Sequence, residues 1–235
     1  MSKAFLFCIF FSVLFAITAA ILIVVLRFHG HHPVDDDLNH TSQDFCVADL
    51  NSGIKLDGFT CKPLSKVGEA DFFFSGLASP ASTINTVGSA VTPADVRQIP
   101  GLNTLSISMS RVDIAPGGLN PPHIHPRATE ILFIIDGELI LGFLTTSNKL
   151  ITKNVSKGET FVFPQGLLHF EFNNAGSPAA AISAFDSQLP GTQYVAATLF
   201  GAVPAVPEDV LAAAFRMESE LVEKIKAGLS RPIIN

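Results

Sequence analysis

Short apolar or alternating runs, separated by Gly, Pro, Asn and Asp, fill the chain from about residue 104 to residue 200. Runs of this length and spacing are typical of a β-sandwich or β-barrel. The clearest alternation is in NTLSISMSRVDI, which sets apolar against polar side chains: Leu105, Ile107 and Met109 against Ser106, Ser108 and Ser110. Because side chains alternate along a strand, this segment predicts a strand with one apolar and one polar face.

Two further runs, ILFII and ELILGF, flank the dipeptide Asp136-Gly137. This dipeptide accepts the positive φ angles of a tight hairpin, so a hairpin is expected there. ILFII is apolar on both faces, which predicts that one face meets the barrel core and the other meets another subunit or element. Additional strands are predicted at 160–163, 168–172 and 179–185.

The last part of the chain has a different periodicity. PEDVLAAAFRMESELVEKIKAGL opens with Pro207 and acidic residues, as a helix N-terminus does. Apolar residues then recur at helical spacing: Val210, Ala214, Met217, Leu221 and Ile225. The pattern predicts a helical tail over 206–235 with a break near Glu218, packed on its own barrel or on a neighbouring subunit.

The first 26 residues contain an uninterrupted apolar run between Lys3 and Arg27. A basic start, an apolar centre and small residues at 18–20 favour a secretory signal peptide. The run is also long enough to span a bilayer, so an uncleaved signal anchor is the alternative. Both predict entry into the secretory pathway. Residues 27–44 are polar and rich in His and Asp, which predicts an exposed linker before a single domain at 45–205.

Charge and cysteine content narrow the class of protein. The chain of 235 residues has 15 Lys and Arg against 21 Asp and Glu, and no basic run, so nucleic acid is excluded as a partner. Cys46 and Cys61 are the two cysteines after the leader. We expect them to form a disulfide, worth about 3 kcal/mol on the chain-entropy model; two unrelated buried thiols are the alternative. Asn39 and Asn154 begin candidate N-glycosylation sequons.

A pair of histidines stands in the segment PGGLNPPHIHPRATE. His123 and His125 are two residues apart, so on a strand they point to the same face and can chelate a metal ion. Glu130 has the opposite parity and would face away on one continuous strand. Pro126 and Arg127 interrupt the strand, and a bend there lets Glu130 join the histidines.

A second segment, GETFVFPQGLLHFEFN, supplies a fourth candidate ligand. Pro164 and Gly166 suit the second and fourth positions of a type I turn. After this turn, His169, Glu171 and Asn173 share one strand face. A surface hairpin with a solvated polar face is the alternative to a metal site.

Together the two segments resemble the two motifs of the cupin superfamily. The first motif is matched at Gly117, His123, His125, Glu130 and Gly137, and the second at Gly158, Pro164, Gly166, His169 and Asn173. Other stretches, including QDFCVADLNSG, GFTCKP, GSAVTPA and FDSQLPG, are similar to the germin-like proteins of plants from about residue 43 onward.

This resemblance implies an all-β fold, a cupin jelly-roll β-barrel with a C-terminal α-helical tail. It also implies a manganese ion bound by His123, His125, Glu130 and His169, together with a Cys46–Cys61 disulfide. The family further implies glycosylation, homohexamers built as trimers of dimers, and a secreted protein of the apoplast and cell wall. Three imidazoles and a carboxylate leave two octahedral positions for small ligands.

The resemblance also identifies a candidate substrate pocket. True germins are oxalate oxidases that use two asparagines near the metal. One of them is present as Asn120, whereas the other position holds Ser110, whose hydroxyl cannot supply the paired donor and acceptor of an amide. Glu171 stands where the family commonly carries an amide, and we expect it to bring a negative charge that disfavours a dianionic substrate.

Three functional hypotheses follow. The first is a manganese-dependent oxidoreductase that acts on small oxygen species, with superoxide dismutation favoured. The second is a non-catalytic wall-associated receptor or binding protein with a structural metal ion. The third is an oxalate oxidase acting on a small organic acid.

Overall fold

A computed structural model of the chain describes residues 44–54 and 58–229. The predicted leader, nearly all of the predicted linker and the Asn39 sequon lie outside these residues. Within the part that is described, no helix is both long enough and apolar enough to cross a bilayer.

Ten strands in the described residues form two antiparallel five-stranded sheets. In chain order the strands are β1 (Ser89–Ala94), β2 (Ser108–Ile114), β3 (Leu119–Ile124), β4 (Glu130–Asp136), β5 (Glu138–Leu144), β6 (Leu150–Ser156), β7 (Thr160–Phe163), β8 (His169–Phe172), β9 (Ala179–Phe185) and β10 (Gln193–Tyr194). The strand order is β1-β2-β9-β4-β7 in one sheet and β10-β3-β8-β5-β6 in the other. The predicted all-β jelly-roll is confirmed.

The interior of the barrel is divided along the strands into a polar end and an apolar end. On β4, Glu130 faces inward at the first position, and Leu132 and Ile134 follow on the same face, all three buried. The apolar end packs residues of both sheets into one core: Val112, Ile114, Leu132, Ile134, Leu139, Leu141, Val155, Phe163, Ala179 and Ala181. This core holds the sheets together and leaves the opposite end free for polar side chains.

The prediction of a tight hairpin at Asp136-Gly137 is wrong. β4 pairs with β7 and β9, while β5 pairs with β6 and β8, so the chain changes sheets at this point. Gly137 has a φ of 73°, and a Cβ there would lie 2.8 Å from the carbonyl oxygen of Pro178. A glycine is therefore needed for the corner between the sheets, and not for a two-residue hairpin.

The outer face of the first sheet, in which the strand order is β1-β2-β9-β4-β7, is apolar. Ile131 and Phe133 of β4 are 46% and 42% exposed, although the inner face of the same strand is fully buried. Neighbouring strands and the segment before β2 extend this outer face with Leu105, Ile107, Met109 and Val162. The strand predicted in NTLSISMSRVDI begins only at Ser108, and the predicted alternation is confirmed from there: Met109 faces outward, and Ser108 and Ser110 are buried inside. Before the strand, Leu105, Ser106 and Ile107 are all exposed.

Three α-helices follow the barrel within the described residues: α1 (Val195–Phe200), α2 (Glu208–Phe215) and α3 (Ser219–Leu229). Phe200, Leu211 and Val222 pack together, one from each helix. The predicted break falls between α2 and α3, where Arg216 adopts a left-handed conformation with a φ of 53°. The helical tail is confirmed, and α1 is a helix that the sequence pattern did not predict.

Cys46 and Cys61 form a disulfide across 15 residues of chain. Next to it, Ala48 and Cys61 form an isolated antiparallel bridge, and Val47 and Ala48 are buried. The amide of Asn103, just after a short 3-10 helix (Pro100–Leu102), donates to the carbonyl oxygen of Phe59. The disulfide thus closes a loop within the segment before the barrel, and hydrogen bonds from Asn103 to Phe59 and from Ala48 to Pro100 attach this segment to the chain between β1 and β2.

Candidate metal centre

Three parts of the barrel bring the candidate ligands together. His123 lies on β3 and His125 directly follows this strand, while Glu130 begins β4 and His169 begins β8. The chain bends between β3 and β4 at Pro126, as the parity of Glu130 required. All four side chains are buried, and their ligand atoms lie within 4.8 Å of one another.

The turn before His169 differs from the predicted type I turn. The amide of Leu167 donates to the carbonyl oxygen of Pro164, so the turn begins at Pro164, and Gly166 occupies its third position with a φ of 71°. A positive φ at the third position belongs to a type II turn, for which glycine is the favoured residue. After the turn, His169, Glu171 and Asn173 all point inward and are buried, as predicted.

Backbone carbonyls orient the three imidazole rings. Nδ1 of His123, His125 and His169 lies 2.8, 2.6 and 2.7 Å from the carbonyl oxygens of Pro121, Gly191 and Leu167, respectively. A carbonyl oxygen can only accept, so each Nδ1 carries the hydrogen and donates. In the neutral ring the lone pair is then on Nε2, which is the tautomer that binds metal ions in many proteins.

Lone-pair atoms of the four candidate ligands face one another with no hydrogen-bond donor between them. Oε2 of Glu130 lies 3.1 Å from Nε2 of His125 and 3.3 Å from Nε2 of His169. These atoms are close but not aligned for hydrogen bonds: among the residues that the structure describes, neither Oε2 of Glu130 nor Nε2 of His169 has a hydrogen-bond partner. Buried acceptors without donors are costly, and a cation between them removes that cost. This set of ligand atoms therefore fits a divalent metal ion.

The electrostatics of the cluster favour the forms that bind metal. Burial, together with His169 and His125, lowers the pKa of His123 to about 3, so its ring is neutral at physiological pH. Burial alone would raise the pKa of Glu130, but the two imidazoles of His125 and His169 close to its carboxylate outweigh burial and hold this pKa below its usual range. A neutral imidazole and an ionised carboxylate are the ligand forms that a metal ion requires.

A cavity of about 370 Å³ opens onto this cluster. Its polar lining includes Ser110, Asn120 and Tyr194. The phenol of Tyr194 donates to Oδ1 of Asn120 at 3.1 Å, and its ring centroid lies 5.3 Å from that of His123. Burial, with contributions from Glu171 and Glu130, raises the pKa of Tyr194, which keeps the phenol protonated as a donor.

Glu171 lies inside the barrel and opposite Asn120 in the register of β3 and β8. It is fully buried, and neither carboxyl oxygen has a hydrogen-bond partner among the described residues. Burial and the neighbouring Glu130 raise the pKa of Glu171 well above its ordinary value, and the Asn120 amide opposes this only in part. The environment thus favours the neutral acid, in contrast to the negative charge expected from the sequence.

Two features of the site were not predicted from the sequence. The first is a register shift between Asn120 and His123, where β3 has one residue more than β8. This bulge at the Pro121-Pro122 pair turns both Asn120 and His123 inward despite their odd separation, and a proline pair in a strand is the signal that could have indicated it.

The second feature is a pair of side chains from later strands, Tyr194 and Ser183. Tyr194 is the one tyrosine of the chain and pairs with His123 across β10 and β3. The hydroxyl of Ser183 donates to Oε1 of Glu130 at 2.5 Å. No short motif contains these residues, because β-strand pairing alone brings them to the site.

Comparison with known proteins agrees with this fold and cluster. The family model described as "Cupin" matches residues 75–223. A solved structure described as oxalate oxidase in complex with the substrate analogue glycolate superimposes with a TM-score of 0.77 at 49% identity, covering 80% of this chain and 95% of the other. The fold and the His/His/Glu/His cluster thus define a cupin with a metal-binding site.

Curated relatives identify the family within the cupins. Germin-like protein subfamily 2 member 2 of Arabidopsis thaliana is 60% identical over 188 residues, which cover 80% of this chain and 86% of the relative. Germin-like protein 5-1 of Oryza sativa subsp. japonica is also 60% identical, over 80% of this chain and 84% of the relative. The chain belongs to the germin-like proteins.

Proposed function

We propose that this chain is a secreted, manganese-binding germin-like protein of the plant apoplast that removes superoxide. The observation that supports this most directly is the convergence of three imidazoles and one carboxylate, all buried, next to a cavity of about 370 Å³. Manganese, when bound, supplies a one-electron redox couple, which zinc cannot supply. The overall reaction converts two superoxide ions and two protons to dioxygen and hydrogen peroxide.

The residues of the chain have separate tasks in this proposal. His123, His125, Glu130 and His169 hold the ion. Their backbone carbonyl partners keep the rings in one orientation, which matters because ligand orientation affects both metal affinity and reactivity. Asn120 and Tyr194 supply hydrogen-bonding groups in the cavity, where a small oxygen species needs no larger binding pocket.

The test uses the purified secreted protein, loaded with manganese and analysed for its metal content. We expect it to consume superoxide in proportion to bound manganese, and we expect His123→Ala to lose both the metal and the activity. His40→Ala is the matched control, since it changes a histidine far from the cluster in sequence and keeps the Asn39 sequon. Full activity in His123→Ala would rule out this site as the source.

Oxalate oxidation is the second candidate, because a structural relative at 49% identity is described as an oxalate oxidase. Ser110 weighs against it. This serine is buried on β2 and lines the cavity, where its hydroxyl replaces the amide that germins are expected to carry. We expect little peroxide release from oxalate and dioxygen by the native protein. Ser110→Asn tests whether the missing amide is the cause, and strong release by the native protein would reverse the order of the two candidates.

A non-catalytic wall-associated receptor remains distinguishable by the same samples. In that case the metal ion would be structural, so chelation would lower the thermal unfolding temperature while neither superoxide nor oxalate assays gave a signal. Under the proposed function, the chelated protein loses superoxide removal as well.

Assembly and location complete the proposal. The apolar outer face of the first sheet supports a homo-oligomer, for which we propose the hexamer of the family, a trimer of dimers. The disulfide and the germin-like relatives support secretion to the extracellular space. Asn154 is exposed on β6, where it can be glycosylated. Sedimentation analysis of the secreted protein and mass spectrometry of the Asn39 and Asn154 peptides test these points.

A further inference from the structure

The two carboxylate oxygens of Glu130 have different surroundings. Oε1 accepts a hydrogen bond of 2.5 Å from the hydroxyl of Ser183, whereas Oε2 points toward the imidazoles of His125 and His169. Among the described residues, Oε2 has no hydrogen-bond partner. One carboxylate oxygen therefore binds a serine hydroxyl, and the other faces the metal-binding cluster.

Ser183 reaches Glu130 through the pairing of β4 with β9. The serine lies on β9 and is fully buried, and Glu130 is 2% exposed. Ser183 is not part of the cavity lining among the described residues, whereas its cross-strand neighbour Ser110 is. Ser183 therefore lies outside the cavity lining, and its hydroxyl contacts the metal-binding cluster through the carboxylate of Glu130.

We propose that Ser183 is a positioning residue that holds Oε1 of Glu130 so that Oε2 alone binds the metal ion. This inference rests on the proposed metal function. A carboxylate that binds through one oxygen occupies one coordination position, which leaves room for small ligands beside the three imidazoles. The hydrogen bond also fixes the orientation of the ligand, and loss of such an outer partner typically weakens metal binding by roughly 10 to 100 times.

The test measures the manganese affinity of the full secreted protein by competition with a fluorescent chelator. We expect Ser183→Ala to raise the dissociation constant by about 10 times or more. Ser183→Thr retains a hydroxyl and should stay within about three times the native value. Ser89→Ala is the matched control, because Ser89 is also fully buried and its hydroxyl donates to the carbonyl oxygen of Leu119, away from Glu130.

A second measurement separates positioning from a merely structural role. Manganese(II) electron paramagnetic resonance reports the ligand arrangement, so its spectrum should change in Ser183→Ala and remain native in Ser89→Ala. If Ser183→Ala does not fold, Ser183→Cys replaces it, since a thiol is a much weaker donor of similar shape. We expect the cysteine variant to have a weaker affinity and a changed spectrum.

The outcomes for Ser183 and for the metal site are distinguishable. Native affinity and a native spectrum in Ser183→Ala, or in Ser183→Cys where the alanine variant does not fold, would overturn the role of Ser183 and leave the metal site intact. Equal weakening by Ser89→Ala would overturn it as well, because the effect would then come from loss of any buried hydroxyl. Failure of the native protein to bind manganese would instead contradict the proposed function itself.

Discussion

Replacement of Glu171 by glutamine should stabilise this protein at neutral pH. Glu171 is fully buried, and within the described residues its carboxyl oxygens have no hydrogen-bond partner. Its pKa is raised well above the ordinary value of 4.5, first by burial and then by Glu130. A glutamine has nearly the same shape but does not titrate, so it removes the cost of keeping a carboxyl group neutral.

The size of the effect follows from proton linkage. A group whose pKa is raised on folding contributes stability that is present below its unfolded pKa and is lost as the pH rises through its folded pKa. The assay pH of about 7 lies roughly 2.5 units above the unfolded value, and each unit corresponds to about 1.4 kcal/mol. The gain in stability of the Glu171→Gln variant therefore grows from almost nothing near pH 4.5 toward an upper limit of about 3 kcal/mol at pH 7.

Urea unfolding at several pH values measures this difference. Native protein and variant are compared in excess chelator and at one protein concentration, because a bound cation would stabilise the ionised carboxylate and assembly would add a concentration dependence. Glu223→Gln, at an exposed position of α3, is the control and should follow the native protein at every pH. A pH-independent difference between native protein and Glu171→Gln, or a less stable variant at pH 7, would refute the reasoning.

Three further predictions concern the site and the barrel corner. In chelator and in the Glu171→Gln background, the free energy of unfolding should rise by up to about 5 kcal/mol between pH 3 and 6.5. Burial lowers the pKa of His123 from 6.5 to about 3, so only the unfolded chain binds this proton in that range. A flat profile in urea titrations would contradict this. Tyr194→Phe should cost about 1 kcal/mol in the same assay, since Oδ1 of the buried Asn120 loses its donor, and an unchanged midpoint would show that the bond contributes nothing. Gly137→Ala should lower stability by about 1–3 kcal/mol, because its φ is 73° and the new Cβ would meet a backbone carbonyl at 2.8 Å; thermal unfolding with native-like stability would exclude this strain.

The strands and the helical tail could be predicted because their patterns are local. The predicted strands at 160–163, 168–172 and 179–185 correspond closely to β7, β8 and β9. Pairing was harder to predict, as the corner at Gly137 demonstrates. A positive φ angle is compatible with both a tight hairpin and a change of sheet, and only the pairing of β4 and β5 with different strands decides between them.

The amino-acid sequence by itself determined which side chains could bind a metal ion. Two short segments contain the four ligands at recognisable spacing, His123, His125, Glu130 and His169, and Pro126 interrupts the strand between them. Only the tertiary structure decided their surroundings. Burial sets the pKa of Glu171, and the hydroxyl of Ser183 reaches Glu130 from β9. Hydrogen bonds and desolvation depend on distances between strands far apart in the chain, and these distances exist only once the two sheets have closed around the site.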